Sequence, residues 1–312
     1  LALGGVLGPI TSSFVAHFAH WRWLFVIPLL TLFALPLFRR YLSSEQVGSP
    51  IGIDWIGGFL LGGAVALLLL TITGERWLLA IATIALILLF VARIHSAAQP
   101  FVEPRLFRNG RYSLGIVLGF LVSAIGFSIP FLTPIMLADV YNLTPGAIGL
   151  AMIPASLTAA FLGKQGGKFA DRKGNTRLFS LAALLLLSSF LLLSILIGQS
   201  LEFIAVALIA GQVGQTFIVV AMSGTVANTL TKEHVGVGMG LMSMLNFIAS
   251  SVSGALISSV IDRGVQSAWN PFYFIGEGAI YSNLYLILSL SYVGLILISL
   301  FRFESRKLTK NL

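Results

Sequence analysis

Gly163-Lys164-Gln165-Gly166-Gly167-Lys168-Phe169-Ala170-Asp171-Arg172-Lys173-Gly174-Asn175-Thr176-Arg177 is a basic, glycine-rich stretch lying between two long apolar runs. Its glycines lack a Cβ and permit a tight reversal, and its Lys and Arg residues keep it out of an apolar interior. The stretch predicts a cationic hairpin joining two antiparallel elements. Those elements are the runs at about 146–162 and 178–197, close to the ~20 apolar residues that cross roughly 30 Å of hydrocarbon. A hairpin between two such runs belongs at a membrane surface.

Composition agrees. The chain is 57% apolar and only 10% charged, with a mean hydropathy of +0.97, whereas soluble domains carry about 25% charged residues. A net charge of +8 and a pI near 10 would suggest nucleic acid in a soluble domain. Here the cations are spread over short connectors, so no nucleic-acid partner is expected and the charge is read as topology and contact with anionic headgroups. Cysteine is absent, which excludes disulfides and thiolate metal sites.

Outward from the hairpin, further spans are read at about 23–38, 53–73, 78–94, 112–137, 201–223, 236–261 and 283–301, with a partial one at 1–17. The fold class is therefore all-α, a polytopic membrane helical bundle of about ten transmembrane helices. Pro130 and Pro134 predict a kink in the span at 112–137, and Thr144-Pro145 reads as an N-cap followed by a first-turn proline. Leu1 is not Met and no charged segment precedes the first apolar run. The expectation is a chain truncated at the N-terminus, the C-terminal part of a longer protein.

Orientation follows from the cations, which accumulate on the cytoplasmic side. Of the 19 Lys and Arg residues, all but Arg22, Arg76 and Arg263 fall in alternate connectors or the C-terminal tail. The chain is expected to be multi-pass in a bacterial cell membrane with its C-terminus cytoplasmic.

Gly167-Lys168-Phe169-Ala170-Asp171-Arg172-Lys173-Gly174 fits Gly-x-x-x-Asp-Arg-x-Gly. A connector needed only as a topological anchor requires cations, but neither this glycine spacing nor an acid directly before Arg. The segment resembles the signature loop of the major facilitator superfamily, in the copy found in the second half of such transporters. Asn175-Thr176 stand where the family often has basic residues. The resemblance implies a cytoplasmic latch between helices of one half, carried here by Gly167, Asp171, Arg172 and Gly174.

The first run supplies a second resemblance. Gly4-Gly5-Val6-Leu7-Gly8-Pro9-Ile10-Thr11-Ser12-Ser13 has small residues four apart, which let helices approach closely, and is similar to the antiporter motif in the fifth helix of drug/proton exporters. Gly4, Gly8 and Pro9 carry it, while Ser12-Ser13 depart from the family's glycine pair. The resemblance implies the fourteen-helix drug/proton antiporter group, and residues 134–154 look similar to its tetracycline efflux members. On that reading residues 1–40 end an N-terminal bundle, 41–111 hold two linker helices with cytoplasmic loops, and 112–312 form a C-terminal six-helix bundle.

Polar residues inside spans are costly unless they face protein or water. Gln212 and Gln215 are three apart and share a helix face; Ser243, Asn246 and Ser250 follow on the next span. These five are the substrate-pathway candidates, weighed against a role as interhelical hydrogen-bond glue. Phe217, Met222, Met242, Met244 and Phe247 are candidates for an apolar pocket or for packing. Asp54, Asp139, Glu202 and Asp262 all fall at span ends, and Ser250 stands where a tetracycline exporter is expected to carry an acid. Coupling acids are then expected in helices outside this chain, or the substrate differs from tetracycline. His17, His20, His95 and His234 map to span ends, and no metal, cofactor or catalytic arrangement is read.

The sequence therefore predicts a transporter rather than an enzyme. Its parent is expected to export hydrophobic, tetracycline-like antibiotics by alternating access in exchange for protons, with the fragment inactive alone. A transport-inactive membrane partner, or pseudotransporter, is the alternative.

Overall fold

The computed structural model describes residues 8, 11, 14–15, 20–41, 52–74, 77–264, 269–273 and 278–308. Among them all regular structure is helical. Two 3-10 helices, Trp21–Phe25 and Ile27–Ala34, lead into α1 (Leu35–Tyr41). Then come α2 (Trp55–Gly74), α3 (Trp77–Ser96), a 3-10 turn Pro104–Arg108, α4 (Gly110–Gly126) and α5 (Ser128–Tyr141). The remainder is α6 (Pro145–Lys173), α7 (Asn175–Leu196), α8 (Leu201–Ala227), α9 (Val235–Asp262) and α10 (Ala279–Leu308).

Among the described residues 8 helices are long and apolar enough to cross a membrane, with α4 and α5 counted as the one span Gly110–Tyr141. The predicted span at 1–17 lies almost wholly outside the described residues. The one at 23–38 is shorter than a full α-helical span and largely 3-10. At ~2 Å rise per residue a 3-10 run still covers more distance than the same residues in an α-helix.

Hydrocarbon is as apolar as a leucine side chain, so these helices associate through van der Waals fit and hydrogen bonds. The core sits around α7, which packs on α8 and on α10: half of the most apolar stretch of α7 and of α10 is buried, against 11% for α2 and 6% for α3. α8 is the hub, packing along both α6 and α7, with α4 held between α8 and α9; α2 and α3 pair with each other and lean on α9 through α2. The buried Ser189 hydroxyl donates to the Ala207 carbonyl at 2.7 Å and pins α7 to α8.

The predicted hairpin at 163–177 is corrected. α6 does not stop near 162 but runs through the glycines to Lys173, and a single residue, Gly174, makes the reversal at φ 89° and ψ 152°. Glycine lowers helix propensity without forbidding helix, and packing compensates it here. A Cβ on Gly166 would come within 2.6 Å of the Phe217 ring, so that glycine lets α6 and α8 close together. At 1.5 Å per residue α6 is roughly 44 Å long, well beyond the hydrocarbon thickness. Its end therefore projects with Lys164, Lys168, Arg172 and Lys173, of which Arg172 and Lys173 lie in the last turn and suit the negative end of the helix dipole.

The proline-bearing span is interrupted at Phe127. Pro130 has no N–H to donate to the Gly126 carbonyl four residues earlier, and the helix divides there. Thr144 caps α6 as the sequence predicts, its Oγ1 accepting from the Ala147 N–H at 3.4 Å.

Both ends of the bundle are tied by polar bonds. At the cation-poor end the buried Asn270 donates from Nδ2 to Ser194 Oγ and Ser282 Oγ, both at 2.7 Å, fixing the 269–273 segment to α7 and α10. Tyr141 Oη accepts from the Gly198 N–H and donates to the Gln199 carbonyl, and Tyr281 donates to the Asp139 carboxylate. At the cation-rich end Tyr112 donates to the Gly238 carbonyl at 3.0 Å, joining α4 to α9. Asp54 closes the α2–α3 pair. Its carboxylate accepts from the Gly57 N–H, from Arg93 Nε and from the Phe101 N–H at 3.0–3.2 Å, and it pairs with the Arg93 guanidinium.

Candidate functional site

α4 and α8 run antiparallel, and three glycines of α4 set how closely. Val226 packs on Gly115, Met222 and Met242 on Gly119, and the Gln215 carboxamide on Gly126, where an added Cβ would overlap the amide. Residues 115, 119 and 126 share one helix face. α9 reaches the same face, because Asn246 Oδ1 lies beside the place a Cβ on Gly119 would take, at 3.8 Å. Two carboxamides and two thioethers thus converge on a helix face lacking side chains of its own.

The oxygens of those carboxamides decide what the site can do. Gln215 Oε1 and Asn246 Oδ1 are buried and find no hydrogen-bond partner among the described residues. The same holds for Ser128 Oγ, Ser156 Oγ and Tyr292 Oη. These five groups come from five different spans. An unpaired buried polar group costs about 1–3 kcal/mol, and buried polar atoms are normally satisfied. The five do not share one depth: Gly126 and Gly119, which Gln215 and Asn246 abut, are seven residues apart, about 10 Å along α4, so these two acceptors mark two levels of one helix face.

Tyr292 sits in an aromatic stack. Phe190 of α7 lies between the rings of Tyr285 and Tyr292, with centroids 6.1 and 5.8 Å apart, and Tyr285 Oη is hydrogen-bonded to Thr133 Oγ1 at 3.0 Å. Tyr285 is thereby satisfied and Tyr292, two turns on, is not.

The structure separates the five pathway candidates. Gln215 and Asn246 face the α4 glycines. Gln212 is half-buried one turn away, and its carbonyl accepts from the Thr216 hydroxyl. Ser243 and Ser250 spend their hydroxyls on their own helix, donating to the carbonyls of Met239 and Asn246 at 3.0 and 2.9 Å. Ser243 is uncovered, as is Phe247 at 75% exposure, so these two share the outward face of α9. Met222 and Met242 are buried at the site, and Phe217 is buried against Gly166 instead.

Ser128, Ser156 and Tyr292 were not among the sequence candidates. A small hydroxyl in a helix usually bonds back to its own carbonyl, so nothing in the local sequence marks one that does not. For Ser128, the nearby Pro130 is a usable signal, since it disrupts the helix beside it.

The latch residues lie elsewhere. Asp171 and Arg172 are exposed in the last turn of α6, where Lys173 lies over the Phe169 ring at 5.4 Å. Among the described residues Asp171 meets no cation. Gly167 has open space where a Cβ would stand, and Gly174 alone needs glycine for its backbone. Of the antiporter motif, Gly4 and Pro9 lie outside the described residues; Gly8 is exposed and helical.

Asp54, Asp139, Glu202 and Asp262 sit at helix ends, as the sequence indicates. The hydrogen bond from the Gly57 N–H, followed by those from Arg93 and Phe101, holds the Asp54 carboxyl below the usual aspartate range despite its burial. Among the described residues no three His, Asp or Glu side chains gather to hold a metal ion.

The sequence profile of the Major Facilitator Superfamily matches residues 1–254. The chain is 24% identical over 276 residues to a multidrug resistance protein B homolog of Mycobacterium tuberculosis, covering 84% of this chain and 51% of that protein. It is 22% identical over 273 residues to the multidrug transporter protein MdtP of Bacillus subtilis, covering 83% of this chain and 50% of that one. The chain thus spans about half the length of the curated relatives it matches. A crystal structure of a mutant nucleoside transporter, NupG, superimposes with a TM-score of 0.54 at 15% identity over 97% of this chain and 82% of the other, a likeness of fold alone.

Proposed function

The chain belongs to the major facilitator superfamily, and from that premise we propose that the protein carrying it is a multidrug exporter working by alternating access. Its relatives are named for multidrug resistance and transport. The observation that carries the reading is the pair of unpaired carboxamide oxygens on the glycine face of α4, Asn246 beside Met222 and Met242 at Gly119 and Gln215 two turns away at Gly126. Thioethers adapt to varied apolar shapes, and two neutral acceptor oxygens suit a hydrophobic molecule bearing N–H, O–H or ammonium donors. Transporters of this kind bind at the midplane and rock two bundles about it.

On this reading residues 112–312 are one such bundle, 41–111 the linker with α2 and α3, and 1–40 the end of the other bundle. The cation-rich face is cytoplasmic, and Gly167, Asp171, Arg172 and Gly174 latch that face. The coupling ion is the proton. No acid lies in the middle third of any described span, which supports a proton carrier in helices other than these and an isolated chain that does not transport.

The test is efflux of a panel of hydrophobic antibiotics, tetracycline included, from cells expressing the intact protein, with and without a protonophore. Gln215→Ala and Asn246→Ala each remove one acceptor. A lost hydrogen bond of about 0.5–1.5 kcal/mol predicts up to about 10-fold weaker apparent affinity for donor-bearing drugs. Unchanged affinity across the panel in both variants would refute the site. The missing mid-span acid also favours the transport-inactive partner, and efflux of no drug by the intact protein would decide for it.

A further inference from the structure

At the cation-rich end of the bundle the entry to α4 faces the turn between α8 and α9. Asn109 bridges them: its Nδ2 donates to the Thr229 carbonyl at 2.8 Å, while its Oδ1 accepts from the Arg111 and Tyr112 N–H groups at 3.1 and 3.4 Å. Beside this strut opens a cavity of about 640 Å³ lined by Arg108, Asn109, Gly110, Arg111, Leu114 and Asn228. Arg108 and Arg111 are exposed, and neither meets a carboxylate among the described residues. No acidic side chain lines the cavity. The smaller cavity across the strut, about 290 Å³, carries Arg105 and His234 but also Glu103, so its charge is partly offset.

Two uncompensated guanidinium groups in a concave polar site call for an anion, and their planar forks match the oxygens of a phosphate. The first N–H groups of α4 are already taken by Asn109, so the side chains, not the helix terminus, would hold it. What distinguishes a lipid from a free phosphate lies further along α4. Leu114 lines the cavity, and Val117 and Leu121 follow at one-turn spacing, uncovered at 55% and 39%. Residues three and four apart share a helix face, so an apolar track leads from the cavity into the span that begins at Gly110.

We propose that this cavity binds the headgroup phosphate of an anionic phospholipid through Arg108 and Arg111, with an acyl chain laid along Leu114, Val117 and Leu121. The site is separate from Gln215 and Asn246, and its test does not depend on transport.

The measurement is binding of phosphatidylglycerol to the intact, delipidated protein in detergent micelles, with phosphatidylcholine as the neutral comparison. Near a membrane surface each Lys or Arg contributes about 1 kcal/mol toward anionic lipid, so Arg108→Gln with Arg111→Gln should weaken phosphatidylglycerol binding about 30-fold. Lys164→Gln with Arg177→Gln removes equal charge from the same face and should change it less than about 3-fold. Arg108→Lys with Arg111→Lys keeps the charge but not the forks, so it should recover part of the binding lost in the Gln pair, showing that substitution leaves the site folded. Equal losses in the two Gln pairs would reduce the effect to bulk charge and overturn the proposal. Equal affinity for phosphatidylcholine would overturn it too. Displacement of the lipid by millimolar inorganic phosphate would assign the cavity to a soluble anion instead.

Discussion

Gly126→Ala tests the candidate site through stability alone, before any drug is involved. A Cβ at 126 would occupy space filled by the Gln215 carboxamide. Overpacking of a tight interior costs about 1–3 kcal/mol, while Ala for Gly in a helix returns up to about 1 kcal/mol. The net expectation is a destabilisation of roughly 0–2 kcal/mol. In a Gln215→Ala background the overlap is gone and only the propensity gain remains, so the same substitution should become neutral or stabilising by up to about 1 kcal/mol. The coupling between the two positions is then about 1–3 kcal/mol, whereas positions not in contact add to within about 0.5 kcal/mol. Denaturation of the four variants in micelles, followed by tryptophan fluorescence, gives the cycle. Additivity within that margin would show that Gln215 does not pack on Gly126, and the mid-span site as drawn would fall.

Two further substitutions probe the ends of the bundle. Gly174→Ala places a Cβ at φ 89° and ψ 152°, a region essentially reserved for glycine, and should cost about 1–3 kcal/mol; Gly174→Asn should not rescue it, because Asn tolerates the left-handed helical region and not this one. Gly167→Ala, with open space at its Cβ, should be neutral or slightly stabilising in the same denaturation experiment. Asp54→Asn removes the partner of Arg93 and should lower the unfolding midpoint. Its folded-state pKa is depressed, so the carboxylate's contribution is complete above the ordinary aspartate range and is lost as pH falls through that range toward the folded value. Wild-type midpoints should therefore fall in acid more steeply than those of Asp54→Asn, and parallel curves would deny the carboxylate its role.

Much of the architecture was legible in the residues because it depends on local properties. Span length follows from the number of consecutive apolar residues, and the start of α6 follows from Thr144-Pro145. The position of Asp54, Asp139, Glu202 and Asp262 at helix ends follows from the cost of a charge in hydrocarbon. The Gly126–Phe127 break was foreshadowed by Pro130, whose missing N–H is a covalent fact.

What only the tertiary structure decided is which way each residue faces. In a soluble helix the buried side is apolar and the other polar, so periodicity announces the core. In a membrane both lipid and neighbouring helices are apolar, and that signal vanishes. Gln215 and Ser243 therefore read alike as polar residues in spans, yet one packs on a glycine of α4 and the other lies uncovered on α9. Gly166 reads as part of a turn, yet the Phe217 ring lying against it keeps it in a continuous helix. That most of the chain forms membrane-length helices was a property of the sequence itself, whereas the glycine face of α4 with Gln215 and Asn246 exists only because three helices pack together there and leave those oxygens unpaired.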